Sequence, residues 1–141
     1  MTPHSAKTIL VVDDQPPVRR LISLMLGRLG FKTIEAGDGL QALARFEDAH
    51  GTIDLAIIDM VMPRMSGLDV AAELARINPS LKILYLSAYG GSIAIDSIRR
   101  RSPEHLLLKP FTERSLLDRV FGLLGGDPGD HQTVNSATEP V

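Results

Sequence analysis

The stretch Leu55-Ala56-Ile57-Ile58-Asp59-Met60-Val61-Met62-Pro63-Arg64-Met65-Ser66-Gly67 decides the reading of this chain. Four apolar residues in a row fit a strand buried on both faces, the pattern of parallel sheets. The run stops at a carboxylate. Pro63 and Gly67 then shape a tight loop that leads into a helix. Three other runs have the same form. Ile9-Leu10-Val11-Val12 enters Asp13-Asp14, Ile83-Leu84-Tyr85-Leu86 enters Ser87, and Leu106-Leu107-Leu108 enters Lys109. If the runs are neighbouring parallel strands, their carboxyl ends share one sheet edge, where such folds bind ligands. Three carboxylates, a hydroxyl and an ammonium then converge in one crevice.

Helical spacing fills the intervals. Val18, Leu21, Ile22, Met25 and Leu29 make one apolar stripe, opened by Pro16-Pro17 and closed by Gly30. A second helix starts near Gly39 and carries Leu40, Leu43 and Phe46 inward. A third starts at Ser66, with Asp69 three residues on, presents Val70, Leu74 and Ile77, and stops at Asn78-Pro79. A fourth covers Ser92 to Arg101, and a fifth runs from Thr112 to about Leu124, with Leu117, Val120, Phe121 and Leu124 on one face. Lys32-Thr33-Ile34-Glu35-Ala36 is a more polar strand that suits a sheet edge. Strand and helix alternate five times, which predicts an α/β parallel sheet with helices on both faces, joined by right-handed crossovers.

The 141 residues suffice for one domain with one core. Hydrophobic residues at 44% and charged residues at 23% fit a soluble globular protein, and a net charge of -2 gives no sign of a nucleic-acid or membrane surface. No apolar stretch nears the ~20 residues of a membrane span, and the start lacks a signal-peptide core. The absence of cysteine excludes disulfides and thiolate metal sites and is compatible with a cytoplasmic location. His4, His50, His105 and His131 are scattered without metal-ligand spacing. There is no GxxxxGKS/T phosphate loop and no GxSxG elbow. Residues 1–7 are expected to be a flexible N-terminus and residues 125–141, from Gly125-Gly126-Asp127-Pro128, a disordered polar tail. That tail is too short and too polar for a helix-turn-helix, so direct DNA binding is not expected.

Asp13, Asp14 and Asp59 in one crevice repel one another unless a hard cation binds, and Mg²⁺ takes oxygen ligands of this kind. Alone, Asp14 reads as a helix cap and Asp13 as a solvated loop residue. The third acid, at the matching end of another strand, tips the reading towards a metal. Asp59 has the context of a nucleophile that forms an aspartyl phosphate. Lys109 supplies a compact positive charge and Ser87 a hydrogen bond to a phosphoryl oxygen. Taken singly, Ser87 reads as a hydroxyl bonded to backbone and Lys109 as a surface lysine. Four such residues at four strand ends argue for one site. The run Arg99-Arg100-Arg101 reads most simply as a favourable helix C-terminus with a solvated face.

Together these motifs resemble the response-regulator receiver domain of two-component signalling, over residues 8–124. Asp13-Asp14 resembles the family's acidic metal pair, Asp59 to Gly67 its phosphoacceptor loop, Ser87-Ala88 its switch hydroxyl and the small residue beside it, and Lys109-Pro110-Phe111 its lysine and following proline. The resemblance implies a flavodoxin-like, doubly wound five-stranded sheet in the order 2-1-3-4-5 with five helices, and a Lys-Pro bond that is usually cis. It implies Mg²⁺-dependent (or Mn²⁺-dependent) transfer of a phosphoryl group to Asp59 from a histidine kinase or histidine phosphotransfer protein. By position, Asp14 and Asp59 ligate the metal through side chains, Val61 through its carbonyl, and Asp13 mainly through metal-bound water. Such a domain catalyses only its own phosphorylation and dephosphorylation and is not otherwise an enzyme. It switches the binding of a downstream protein, here unnamed, through the face of helix four, strand five and helix five. A monomer or weak homodimer through that face is expected, in a cytoplasmic, stand-alone receiver.

Three departures stand out. Leu106 occupies the position of an aromatic that changes rotamer on activation. Val61 and Tyr89 occupy positions that tune how fast water attacks the acyl phosphate, and their apolar character points to a long-lived phosphoryl group. Gln15 replaces an acid often found after the Asp pair. Rival readings fit less well. A haloacid-dehalogenase-like phosphatase wants a second Asp where Val61 stands, and a flavodoxin wants a Ser/Thr-rich loop where Asp13-Asp14-Gln15-Pro16-Pro17 stands. An excised receiver of a hybrid kinase is the remaining alternative.

Overall fold

The computed structural model describes residues 7–88 and 92–125. The expectations for residues 1–6, for Tyr89 and for 126–141 lie outside them. The chain runs β1 (Thr8–Val12), α1 (Pro16–Gly27), β2 (Lys32–Ala36), α2 (Gly39–Asp48), β3 (Leu55–Asp59), α3 (Gly67–Ile77), β4 (Lys82–Ala88), α4 (Ile93–Arg101), a 3₁₀ turn (Pro103–His105), β5 (Leu106–Lys109) and α5 (Glu113–Leu124). All pairings are parallel, in the order β2-β1-β3-β4-β5. This is the flavodoxin-like arrangement, with its switch point between β1 and β3.

Alternation along the central strands splits the core into two layers. Ile9, Val11, Leu55 and Ile57 pack with Ile22 and Leu26 of α1 and with Leu116, Val120 and Phe121 of α5. Leu10, Val12, Ala56 and Ile58 pack with Ala42 and Phe46 of α2 and with Val70 and Leu74 of α3. Both faces of β1 and β3 are therefore buried, which is why those strands read as unbroken apolar runs. A smaller cluster of Met60, Ile95 and Leu106 underlies α4.

Helix starts follow local chemistry. The side chains of Asp38, Ser66 and Ser92 accept from the backbone amides of Gln41, Asp69 and Ile95, capping α2, α3 and α4. Thr112 and Ser115 form a reciprocal capping box on α5, whose far end closes on Gly125 at φ 70°. Each such cap contributes about 1 kcal/mol. Helix α1 begins with Pro16-Pro17 after Gln15 and has no side-chain cap.

Three apolar residues face the other way from the sequence reading. Leu21, Leu40 and Ile77 are 49%, 72% and 50% exposed. Helices of ten to twelve residues on a narrow sheet bury one limited stripe, and these residues lie outside it. In α1 the buried stripe is Ile22, Ser23 and Leu26, and in α2 Ala42 replaces Leu40 at the sheet.

Candidate functional site

Register places the acids side by side. Val12 pairs with Ile58, so the next residues, Asp13 and Asp59, leave adjacent strands together. Asp13 is fully buried and Asp59 nearly so, at 0% and 5% exposure. Lys109 ends β5 and reaches across β4, placing Nζ 3.0 Å from Asp13 Oδ2 and 3.4 Å from Asp59 Oδ2. Asp14 does not cap α1, since Gln15 holds that position. One oxygen from each of Asp13, Asp14 and Asp59 lies within 4.8 Å of the others.

Backbone contacts hold these groups in place. Asp13 Oδ1 accepts from the Gln15 amide at 2.9 Å, and the Asp13 carbonyl accepts from Arg19 Nη1 at 2.9 Å. Arg19 Nε in turn donates to Glu35 Oε1 on β2 at 3.0 Å. Asp59 Oδ1 accepts from the Val61 amide at 3.2 Å. The loop after Asp59 folds back, with the Gly67 amide donating to the Met60 carbonyl at 3.0 Å. A Cβ on Gly67 would lie 2.2 Å from the Asp59 carbonyl oxygen, so only glycine lets α3 approach the loop this closely. In the same loop Arg64 adopts φ 69° and pairs with Asp38 at 3.6 Å.

Electrostatics follow from burial. Desolvation raises the Asp59 pKa, the Val61 amide lowers it, Asp13 adds a second raising influence, and Lys109 opposes; the net result is upward. For Lys109, burial pulls the pKa down, but Asp13 and Asp59 outweigh it and leave it raised. Lys109 set against three carboxylates leaves two formal negative charges in the crevice. A hard divalent cation with oxygen ligands balances that charge, so the donor set fits Mg²⁺.

The remaining sequence candidates fall around this centre. Ser87 is buried, and its Oγ donates to the Ala88 carbonyl at 2.9 Å. The β4–β5 register sets Ser87 beside Leu108 and Ala88 beside Lys109. Val61 is 71% exposed next to Asp59. Leu106 packs with Met60 and Ile95, and the Lys109–Pro110 bond is cis. Sequence reasoning missed Arg19 and Glu35; the available signal was a cation, Arg19, one turn into α1 beside the acidic loop.

A family model described as the response regulator receiver domain matches residues 9–121. The chain belongs to the response regulator receiver family. The DNA-binding transcriptional regulator NtrC of Azospirillum brasilense is 34% identical over 137 residues, covering 97% of this chain and 26% of that protein. The chain spans about half or less of the length of the curated relatives it matches. Among solved structures, a response regulator receiver domain protein of Clostridium thermocellum is 27% identical with a TM-score of 0.74, covering 84% of this chain and 94% of that one. The response regulator TrrA of Thermotoga maritima, in complex with Mg²⁺ and BeF, is 34% identical with a TM-score of 0.69, covering 84% of this chain and 99% of that one. The sheet order foreseen from the receiver resemblance is the one observed. Among the described residues, no helix is long and apolar enough to cross a membrane.

Proposed function

We propose that this receiver domain accepts a phosphoryl group on Asp59 and uses it to switch the binding of a partner protein. The observation that carries the reading is the convergence of Asp13, Asp14, Asp59 and Lys109 at one sheet edge. The donor is a phosphohistidine of a histidine kinase or histidine phosphotransfer protein. An Asp59 carboxylate oxygen attacks phosphorus, the phosphorus–nitrogen bond to the donor imidazole breaks, and the nitrogen leaves with the bonding pair.

Asp14, Asp59 and the Val61 carbonyl would hold Mg²⁺, with Asp13 acting through water. When bound, the ion supplies positive charge to the phosphoryl oxygens. Lys109 exchanges part of its contact with Asp59 for the incoming phosphoryl group, adding a second fixed charge there. Ser87 gives up its bond to the Ala88 carbonyl and donates to a phosphoryl oxygen instead. That exchange is a local two-state change, and a coupling of about 1–3 kcal/mol to a distant surface is enough to alter partner affinity. With Leu106 in place of an aromatic, the signal passes through packing and loop position. Val61 beside the acceptor gives approaching water no polar group to orient it, which favours a long-lived phosphoryl group. Domain limits of 8–124 and a cytoplasmic setting complete the proposal.

Incubation with Mg²⁺ and a small-molecule phosphodonor, followed by intact-mass measurement, tests it. One added phosphoryl group is the expected result, and no added mass contradicts it.

A further inference from the structure

Asp13 is held at every polar group. Its amide donates to the Ala36 carbonyl at 3.2 Å, its carboxylate oxygens accept from the Gln15 amide and from Lys109, and its carbonyl accepts from Arg19 Nη1 at 2.9 Å. Asp14 differs. Among the described residues no hydrogen bond or ion pair holds its carboxylate. Yet one of its oxygens lies within 4.8 Å of oxygens of Asp13 and Asp59. The backbone sets that position. The Asp13 carbonyl belongs to the planar peptide unit that carries the Asp14 Cα, so a group that fixes this carbonyl also aims the Asp14 side chain.

Arg19 is placed for that task. Its Nε donates to Glu35 Oε1 on β2 at 3.0 Å while Nη1 takes the Asp13 carbonyl, so one planar fork bonds acceptors on two different elements. The side chain is only 18% exposed, and it lies against the β2–α2 loop, where a Cβ on Gly37 would sit 3.2 Å from Nη1. A bridge that merely tied α1 to the edge strand would need Glu35 alone. Arg20 makes the weaker contact of that kind, 4.0 Å from Glu35 Oε2 and 71% exposed.

We propose that Arg19, aligned by Glu35, is a positioning residue of the metal site: it locks the Asp13–Asp14 peptide and so holds the Asp14 carboxylate ready for Mg²⁺. The pair contributes geometry without net charge, because Glu35 offsets a guanidinium that stands beside a site for a cation. The inference rests on the metal reading proposed above.

Charge and positioning predict opposite results for Arg19→Gln. Removing a positive charge near a cation site strengthens Mg²⁺ binding if Coulomb attraction governs it. Loss of the clamp weakens binding by about tenfold, the usual scale for a group that orients a ligand without touching the metal. Titration calorimetry of the full chain with Mg²⁺ separates the two. The double variant Arg19→Gln/Glu35→Gln has the wild-type net charge and should bind no better than Arg19→Gln, since Glu35 acts through Arg19. Arg20→Gln removes the same charge one residue away and should leave affinity unchanged. In the metal-free protein, ¹⁵N relaxation should show new exchange broadening at the Asp14 and Gln15 amides in Arg19→Gln and none in Arg20→Gln. Melting temperatures are measured first. If Arg19→Gln loses the fold, Arg19→Lys, which keeps the charge without the fork, replaces it and should also bind Mg²⁺ more weakly. Unchanged or tighter Mg²⁺ binding in the Arg19 variant, wild-type affinity in the double variant, an equal loss in Arg20→Gln, or unaltered Asp14 and Gln15 amides would each overturn the inference alone. A wild type that binds no Mg²⁺ overturns the metal reading and this inference with it.

Discussion

Lys109 and Asp13 are 96 residues apart in sequence, yet the Lys109 ammonium lies 3.0 Å from Asp13 Oδ2. The contact spans β5 to the end of β1 and bridges Asp59 on the way. It is the only positive side chain paired with these two buried acids among the described residues. Lys109→Met therefore leaves two desolvated carboxylates facing each other. Without added metal, the variant should lose about 1–3 kcal/mol in urea unfolding, and Mg²⁺ should restore part of it. Unchanged stability in both conditions contradicts the pairing.

The Asp59 carboxyl gives the opposite result. Its pKa is raised on folding, chiefly by burial. The folded state then binds a proton more tightly than the unfolded chain, so stability falls as pH rises from 3.8, the ordinary carboxyl value, through the raised one. Above that window the whole cost is present. Asp59→Asn removes it and should raise the melting temperature of the metal-free protein at neutral pH, by about 4 °C for each kcal/mol recovered. At low pH the gain should vanish. Lys109 has the same slope in a higher window: its raised pKa contributes stability present below 10.5, its ordinary value, and lost as pH rises through the folded one. Melting curves across pH check both windows.

Metal affinity should separate the three acids from their neighbours. Asp14→Asn should weaken Mg²⁺ binding on the order of tenfold with little change in metal-free stability. Asp13→Asn should weaken it as well and also disturb Lys109, because Asp13 is the nearer partner. Titration calorimetry measures the first effect and urea unfolding the second. An Asp14→Asn protein with unaltered Mg²⁺ binding rules that residue out as a ligand.

Gly67 makes a steric prediction. Its missing Cβ would overlap the Asp59 carbonyl oxygen at 2.2 Å, and backbone on both sides cannot yield cheaply. Gly67→Ala should cost about 1–3 kcal/mol by overpacking and should lower Mg²⁺ affinity by displacing Asp59. Gly122→Ala, where nothing lies within 4 Å of the added carbon, should show neither effect.

Phosphoryl lifetime tests Val61. Aspartyl phosphate in the purified wild type should persist for minutes or longer, and Val61→Glu should shorten it by offering water a polar partner. Loss within seconds from the wild type contradicts the assignment of a slow hydrolysis rate to this loop.

Strands and acids were legible because their signals are local. Burial on both faces leaves an unbroken run such as Leu55 to Ile58, and Asp59 at its end marks the carboxyl edge. Helix faces were less legible. Leu21, Leu40 and Ile77 have helical spacing, but which side of an apolar stripe meets the sheet depends on how each helix lies across the strands. The supports of the site were hidden for a similar reason. The bonds from Arg19 to the Asp13 carbonyl and to Glu35 join α1, the β1–α1 loop and β2, and no spacing within one element encodes them. Ser87 was legible in its bland reading: its hydroxyl is bonded to backbone, donating to the adjacent Ala88 carbonyl.

The central claim is that Asp59 is the acceptor. The most direct measurement is borohydride reduction of the protein after reaction with Mg²⁺ and a phosphodonor, followed by peptide mass mapping. Reduction converts an aspartyl phosphate into homoserine and so marks its position permanently. The account predicts the mark at residue 59 in the wild type and no mark in Asp59→Asn. A mark at Asp13, Asp14 or another carboxylate of the wild type, or an adduct that survives Asp59→Asn unchanged, contradicts it.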